Sequence, residues 1–465
     1  MGPACGSRHL LAEFAWLGPE QGAASDVLMT ISGDRFTAVE PNAAAVPPGT
    51  TRLPGLTMPG AVNAHSHAFH RALRGAGEAG TGDFWTWRNL MYSLAGGLDP
   101  DTYRELATAT YAEMVLAGIT SVGEFHYLHH PPGGGRYSDP NEMGLALVEA
   151  AAAAGVRITL FDTCYLQGGV DGRALEGAQV RFGDGDAQAW ALRVDALMAA
   201  VATPGAAARV GVAAHSVRAV PPAALRSVGA FAATRDVPVH VHLSEQRREN
   251  EECLAAHGCS PAALLESTGL ASRRTTAVHA THLAAHDITI LGLAGTSVCA
   301  CPTTERDLAD GVGPFADLAD AGSPLCIGTD SHAVIDPFEE MRGIETNERL
   351  MTNRRGSHSA VSLLAAGTGG GAAAIGWPEC GRIATGAAAD LVTVSLDSPQ
   401  LAGARSGGTA SLAAHVVFAA GARDVVNVIV GGVEVVQGGE HLLLGDVAGR
   451  LERSVAAARR GGAAR

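Results

Sequence analysis

The stretch MPGAVNAHSHAFHRALRG, residues 58–75, runs from a short apolar segment directly into three histidines, His65, His67 and His70. An apolar run of this length, bounded by Pro and Gly, reads as a buried strand. Alternate residues of a strand share a side, so His65 and His67 can point into one cavity. Seven further segments have the same character: ITSVGEFHYLHH, GVRITLFDTCYL, RVGVAAHSVRAV, VPVHVHLSE, TTAVHATHL, TSVCACPTTE and PLCIGTDSH. Each is separated from the next by a connection long enough for a crossover helix, such as DTYRELATATYAEMVLAG. Eight near-continuous apolar strands alternating with helices predict a parallel sheet covered on both faces and closed as an α/β, TIM-like (β/α)8 barrel over residues 58–375. An open doubly wound sheet is the alternative.

Outside that region the pattern changes. Residues 1–57 and 376–445 are punctuated by Gly and Pro and carry short alternating runs such as ADLVTVSLD and VVNVIVGGVEVVQGGEH, the second with a Gly-Gly hairpin signal. Both chain ends together are expected to build one small β-sandwich domain. Residues 446–465 read as a surface helix with a basic tail.

With 465 residues, 47% of them apolar and only 17% charged, the chain can bury a large core. No apolar run reaches the roughly 18 residues of a membrane span, and the first residues lack the pattern of an export signal. The expectation is a cytoplasmic protein without membrane or nucleic-acid partners, the latter because the net charge is −14. Eight cysteines in so long a chain make no disulfide framework, and Cys253/Cys259 and Cys299/Cys301 read as ordinary thiols. There is no lysine, so every basic side chain is Arg. An anionic substrate would need local arginines to bind against the overall field.

Polar residues gather where the predicted barrel strands end, the edge at which such barrels place their chemistry. The first strand ends in His65-Ser66-His67, the fifth in His240, His242 and Glu245, the sixth in His279 and His282, and the eighth in Asp330. Histidine and carboxylate ligands that leave a position for water make an open, catalytic metal site. His65, His67, His242 and Asp330 are the predicted ligands, His240 a lesser candidate, and His282 structural. The run His126-Tyr127-Leu128-His129-His130 adds histidines that, packed so closely, are not expected to converge on an ion.

NAHSH, HVHLSE, VHATH and GTDSH together resemble the amidohydrolase superfamily, and the resemblance spans essentially the whole chain. It implies a barrel with an attached β-sandwich. Many members bridge two metals with a carboxylated lysine on the fourth strand, which a chain without lysine cannot do. The matching segment offers His215 and Arg218 instead. That favours the single-metal deaminases, with Glu245, three residues after His242, moving protons. More narrowly, NAHSHAFHRAL, FWTWRNLMY, EFHYLHH and HSVRAV are similar to the formimidoylglutamate deiminase family.

Members of that family convert N-formimino-L-glutamate and water into N-formyl-L-glutamate and ammonia in histidine breakdown. The resemblance implies one divalent ion, zinc, with His279 and Asp330 orienting or deprotonating water and Glu245 carrying the proton to nitrogen. It further implies a substrate-binding set of Arg88, Tyr127, His215 and Arg218, and a homodimer. His70 departs from the family, where Gln is frequent; it either faces substrate or packs beneath it. Trp85 and Trp87 are read as residues of a loop over the substrate or as packing anchors. A nucleobase, guanidine or triazine deaminase, and a barrel that has lost its activity, are the competing readings.

Overall fold

The computed structural model describes residues 7–76, 82, 84–203 and 207–463. The first six residues, assigned above to the β domain, and the last two of the basic tail lie outside them. Among the described residues, sixteen strands form two eight-stranded sheets. In chain order they are β1 (Arg8–Trp16), β2 (Ala23–Ser32), β3 (Arg35–Glu40), β4 (Thr51–Pro59), β5 (Ala61–Ser66), β6 (Ile119–His126), β7 (Arg157–Cys164) and β8 (Ala208–Ala214). There follow β9 (Val239–Leu243), β10 (Thr275–His279), β11 (Ser297–Ala300), β12 (Leu325–Ile327), β13 (Leu391–Val394), β14 (Val425–Val430), β15 (Val433–Gln437) and β16 (Glu440–His441).

Strands β5 to β12 lie side by side in sequence order, every paired neighbour parallel. All residues of β6 and β7 are buried, which is why these strands read as continuous apolar runs rather than alternating ones. The barrel closes between its first and last strands. Ser66 pairs with Asp330 in a single parallel bridge, and the amides of Thr329 and Asp330 both donate to the His65 carbonyl. A (β/α)8 barrel is therefore the architecture, and an open sheet is excluded.

Several outer helices start where the sequence supplies a cap. Asp99 and Thr102 form a capping box before the helix Pro100–Leu116, and Asp186 and Asp336 cap the helices at Ala187 and Pro337.

The second sheet takes both chain ends, in the order β16-β15-β14-β13-β4-β1-β2-β3. Only β1 and β4 pair in parallel. The sheet curls until Arg35 on β3 bridges to Ala388 just before β13, enclosing a small core that includes Leu10, Val27, Met29, Phe36, Leu53 and Ile429. A buried ion pair joins it to the barrel: Arg157 of β7 donates to Asp390 (2.8 Å), whose carboxylate also accepts the Gly431 amide.

The long connection from β5 to β6 holds the helices Phe84–Gly97 and Pro100–Leu116, and the C-terminal helix Val447–Ala463 packs across both. That packing is close. A Cβ at Gly97 would overlap the Gly461 backbone, Ser93 donates to the Gly462 carbonyl, and Arg459 donates to the carbonyls of Ala72 and Arg74.

Candidate active site

The C-terminal ends of β5, β9 and β12 bring His65, His67, His242 and Asp330 together, with all four ligand atoms within 4.8 Å of one another. His65 Nε2 lies 3.2 Å from His242 Nε2 and 3.3 Å from Asp330 Oδ1. His67 Nε2 lies 3.4 Å from each of the same two atoms. The edges of a tetrahedron with zinc–nitrogen arms of about 2.0 Å are about 3.3 Å long. Tautomers settle the sign of these contacts. His67 Nδ1–H donates to the Phe125 carbonyl (2.9 Å) and His242 Nδ1–H to the His215 carbonyl (3.0 Å). Carbonyls cannot donate in return, so Nε2 of each neutral ring carries only a lone pair. Burial holds all three rings neutral, His67 at about 3. Lone pairs converging on a carboxylate repel unless a cation sits among them, so the donor set fits a divalent metal ion.

Buried polar groups hold these ligands in place. Between the two ligating histidines of the first strand, Ser66 Oγ donates to Glu124 Oε2 (2.6 Å), while the Ala68 amide donates to Glu124 Oε1 (2.7 Å). One carboxyl group thus grips the chain on either side of His67, through a hydroxyl before it and a backbone amide after it. His332 lies 3.2 Å from Ser66 Oγ and 2.9 Å from Thr329 Oγ1, continuing this network across the barrel seam. Backbone strain collects here as well. Ser244 (φ 51°), His279 (69°), Ala280 (51°), Asp330 (42°) and His332 (59°) all adopt left-handed conformations that β-carbons disfavour.

Above the ligands lies a cavity of about 50 Å³. The predicted residues His70, Arg88, Tyr127, His215, Arg218, Glu245, His279 and Asp330 all line it. The His70 ring lies with Nε2 3.0 Å from the Tyr127 hydroxyl and packs edge-on against Trp87. Arg218 is already ion-paired, its Nε donating to Glu249 Oε2 (2.8 Å), with Nη2 4.0 Å from Glu245. Arg88 differs. Its guanidinium lies 3.5 Å from the Tyr165 hydroxyl and 5.1 Å from the centre of the Tyr92 ring, and among the described residues no carboxylate pairs with it.

Glu245 and Asp330 Oδ2 each lie 3.7 Å from His279 Nε2, with Glu305 3.5 Å from the other ring nitrogen. Burial opposes charge on His279, but Glu245, Glu305 and Asp330 around it raise it to about 10. Burial also raises the Glu245 carboxyl above its ordinary value. A proton-holding imidazole and a carboxyl of raised affinity face the same space beside the metal donors, an arrangement suited to general acid–base work.

Other residues fall differently from the sequence reading. His240 points into the barrel interior, stacked on Phe161 (3.7 Å between centroids), and takes no part in the ligand set. His282 is half-buried with its carbonyl held by Asn250. His126 and His129, expected not to converge, do meet edge-to-face beside Asp162. Arg193 donates to both Asp162 oxygens (2.6 and 2.8 Å) and fills the cationic place in that cluster. Trp85 and Trp87 sit in the first turn of the helix Phe84–Gly97 rather than in a loop. Tyr92, Tyr165 and Phe182 also line the cavity and were not singled out; only Tyr92 had a signal, being four residues after Arg88 on one helical face.

Three histidines and an aspartate at the C-terminal mouth of a (β/α)8 barrel, with acid–base residues beside them, define a metal-dependent hydrolase. The chain belongs to the amidohydrolase family, whose description matches residues 56–435, and is an enzyme that hydrolyses carbon–nitrogen bonds. It is 37% identical over 443 residues, 93% of this chain and 95% of the other, to a formimidoylglutamate deiminase of Pseudomonas aeruginosa. Its fold is similar to that of an amidohydrolase from Brucella melitensis, with a TM-score of 0.88, 32% identity, and coverage of 97% of this chain and 99% of that one. An adenosine deaminase from Xanthomonas campestris with bound zinc is 25% identical, with a TM-score of 0.84 and coverage of 97% and 98%. Among the described residues no helix is long and apolar enough to cross a membrane.

Proposed function

We propose that the enzyme is a zinc-dependent formimidoylglutamate deiminase, hydrolysing N-formimino-L-glutamate to N-formyl-L-glutamate and ammonia in histidine degradation. The observation that carries this reading is Arg88. An arginine that no carboxylate among the described residues pairs with, lining the cavity that holds the metal donors, is a bidentate site for a substrate carboxylate. A neutral nucleobase gives it nothing to pair with. The similarity to the Pseudomonas deiminase supports the same substrate.

His65, His67, His242 and Asp330 would hold the zinc ion. When bound, it supplies a Lewis acid that lowers the pKa of water to about 7. Arg88 anchors a substrate carboxylate, and Tyr127, His70, His215 and Arg218 line the space around the rest of the molecule. In the reaction, water oxygen bonds to the amidine carbon, giving a tetrahedral carbon bearing two nitrogens. Glu245 accepts one water proton and delivers it to the terminal nitrogen, and the remaining hydroxyl proton follows by the same route as the carbonyl forms, so that the nitrogen gains both protons of the water. That carbon–nitrogen bond breaks, ammonia leaves, and the formyl carbonyl forms. His279, facing Glu245 and Asp330, donates towards the attacking oxygen and orients it.

Incubation of metal-quantified protein with N-formimino-L-glutamate, following ammonia and identifying the organic product, tests the reading. Ammonia with N-formylglutamate is expected. Formamide with glutamate would overturn the choice of leaving group, and no turnover by protein holding about one metal per chain would sink the substrate.

A further inference from the structure

A second, small pocket abuts the one above the metal donors. Arg88, Tyr165, His215 and Arg218 line both and form the shared wall. On its outer side the second cavity adds Arg173 and Arg248, so four arginines face it against one lining carboxylate, Glu252. This concentration stands out in a chain of net charge −14. Beyond roughly 8–10 Å such background charge is screened at physiological salt, so an approaching anion responds to the local arginines.

The two outer arginines are held in position. The Arg248 guanidinium lies 4.7 Å from the centre of the Trp85 ring, with its Nε donating to Glu252 (2.6 Å). Arg173 lies flat against Gly169, where an added Cβ would come within 2.7 Å of its guanidinium carbon, and its Nη1 is 3.3 Å from Asp171. Both are exposed, whereas Arg218 is buried and Arg88 half-buried. The second cavity is thus a cationic pocket that shares an arginine-bearing wall with the reaction chamber.

We propose that this antechamber is an anion-capture site. Arg173 and Arg248 draw a dicarboxylate from solution and pass one carboxylate to Arg88 at the shared wall. The inference rests on the dianionic substrate proposed above and adds to it a second, outer binding site with two specificity-determining arginines. Asp171 and Glu252, each pairing one of them, moderate its strength.

The probe is glutarate, its affinity for the metal-loaded protein measured by calorimetry at low and at high ionic strength. At low salt Arg173→Ala and Arg248→Ala are each expected to weaken binding about threefold to tenfold. Glu252→Ala, which frees Arg248, is expected to tighten it, a direction that structural damage does not produce. Arg274→Ala, on the opposite end of the barrel, makes the same change in net charge and is expected to leave glutarate binding as it was. High salt should erase these differences. Glutarate binding that ignores Arg173→Ala and Arg248→Ala, or wild-type protein that does not bind glutarate, overturns the antechamber. If formiminoglutamate is turned over in either case, the proposed function survives alone. If it is not turned over but the glutarate trend holds, the anion site stands and the assigned reaction falls.

Discussion

At the scale of single residues, Arg88 and Glu124 make the sharpest predictions. Arg88→Met should lower kcat/KM for formiminoglutamate about ten- to a hundredfold, corresponding to one charged hydrogen-bonded contact of about 1.5–3 kcal/mol. Bound metal should not change. Arg88→Lys should recover only part of the loss, because an ammonium lacks the planar fork. Glu124 bears on stability. Burial raises its carboxyl to about 8, against the opposing pull of Ser66, Ala68 and Tyr111. The folded protein therefore keeps a proton that the unfolded chain surrenders above pH 4.5. The stabilisation tied to that proton is complete below the unfolded value and is lost as the pH rises through about 8. Denaturant titrations should show the wild type losing stability relative to Glu124→Gln across this interval. Equal pH dependence in the two proteins would refute the assignment.

At the scale of elements, the helix Phe84–Gly97 carries Trp87, Arg88, Met91 and Tyr92 into the cavity and is itself braced by the C-terminal helix. Gly97→Ala would push the two helices apart, since the added methyl meets the Gly461 backbone. The expected result is a higher KM with unchanged metal content; a KM equal to wild type would remove the C-terminal helix from the binding apparatus. This element also marks where sequence reading ran out. The barrel strands were legible because burial on both faces leaves an uninterrupted apolar signature, and the ligands because histidines recurred at successive strand ends. Trp85 and Trp87 looked like loop residues because the Gly-rich run before them masks a helix start, and the packing that holds that helix comes from residues more than 350 positions away. Tyr165 and Phe182 reach the cavity from separate elements, and no spacing rule connects them to Arg88. The partner of Arg218, Glu249, stands in the charged run RRENEE, where nothing in the sequence marks it as the residue that the fold turns inward.

At the scale of the whole molecule, a metal ion held by the proposed donors His65, His67, His242 and Asp330 would fasten the barrel where its first and last strands meet. A ligand that binds only the folded state at about a thousand times its Kd adds about 4 kcal/mol of stability. Stripping the metal with a chelator should therefore lower Tm by roughly 5 °C for a chain of this size, and zinc should restore it. A Tm indifferent to chelation would argue that the seam closes by hydrogen bonds alone. The seam also has a history in time. Its two sides, bonded at Asn63 and Thr329, lie 266 residues apart along the chain, so at cellular elongation speeds the ribosome delivers the second roughly 13 to 50 seconds after the first. For about the first two-thirds of that wait the nascent polypeptide carries His65 and His67 without His242, 175 residues after His67, and to the end of it without Asp330, so the donor set stays incomplete. On the proposed donor set, metal loading would then follow the release of the last strand, a checkpoint on finished molecules: truncated products would stay empty and silent.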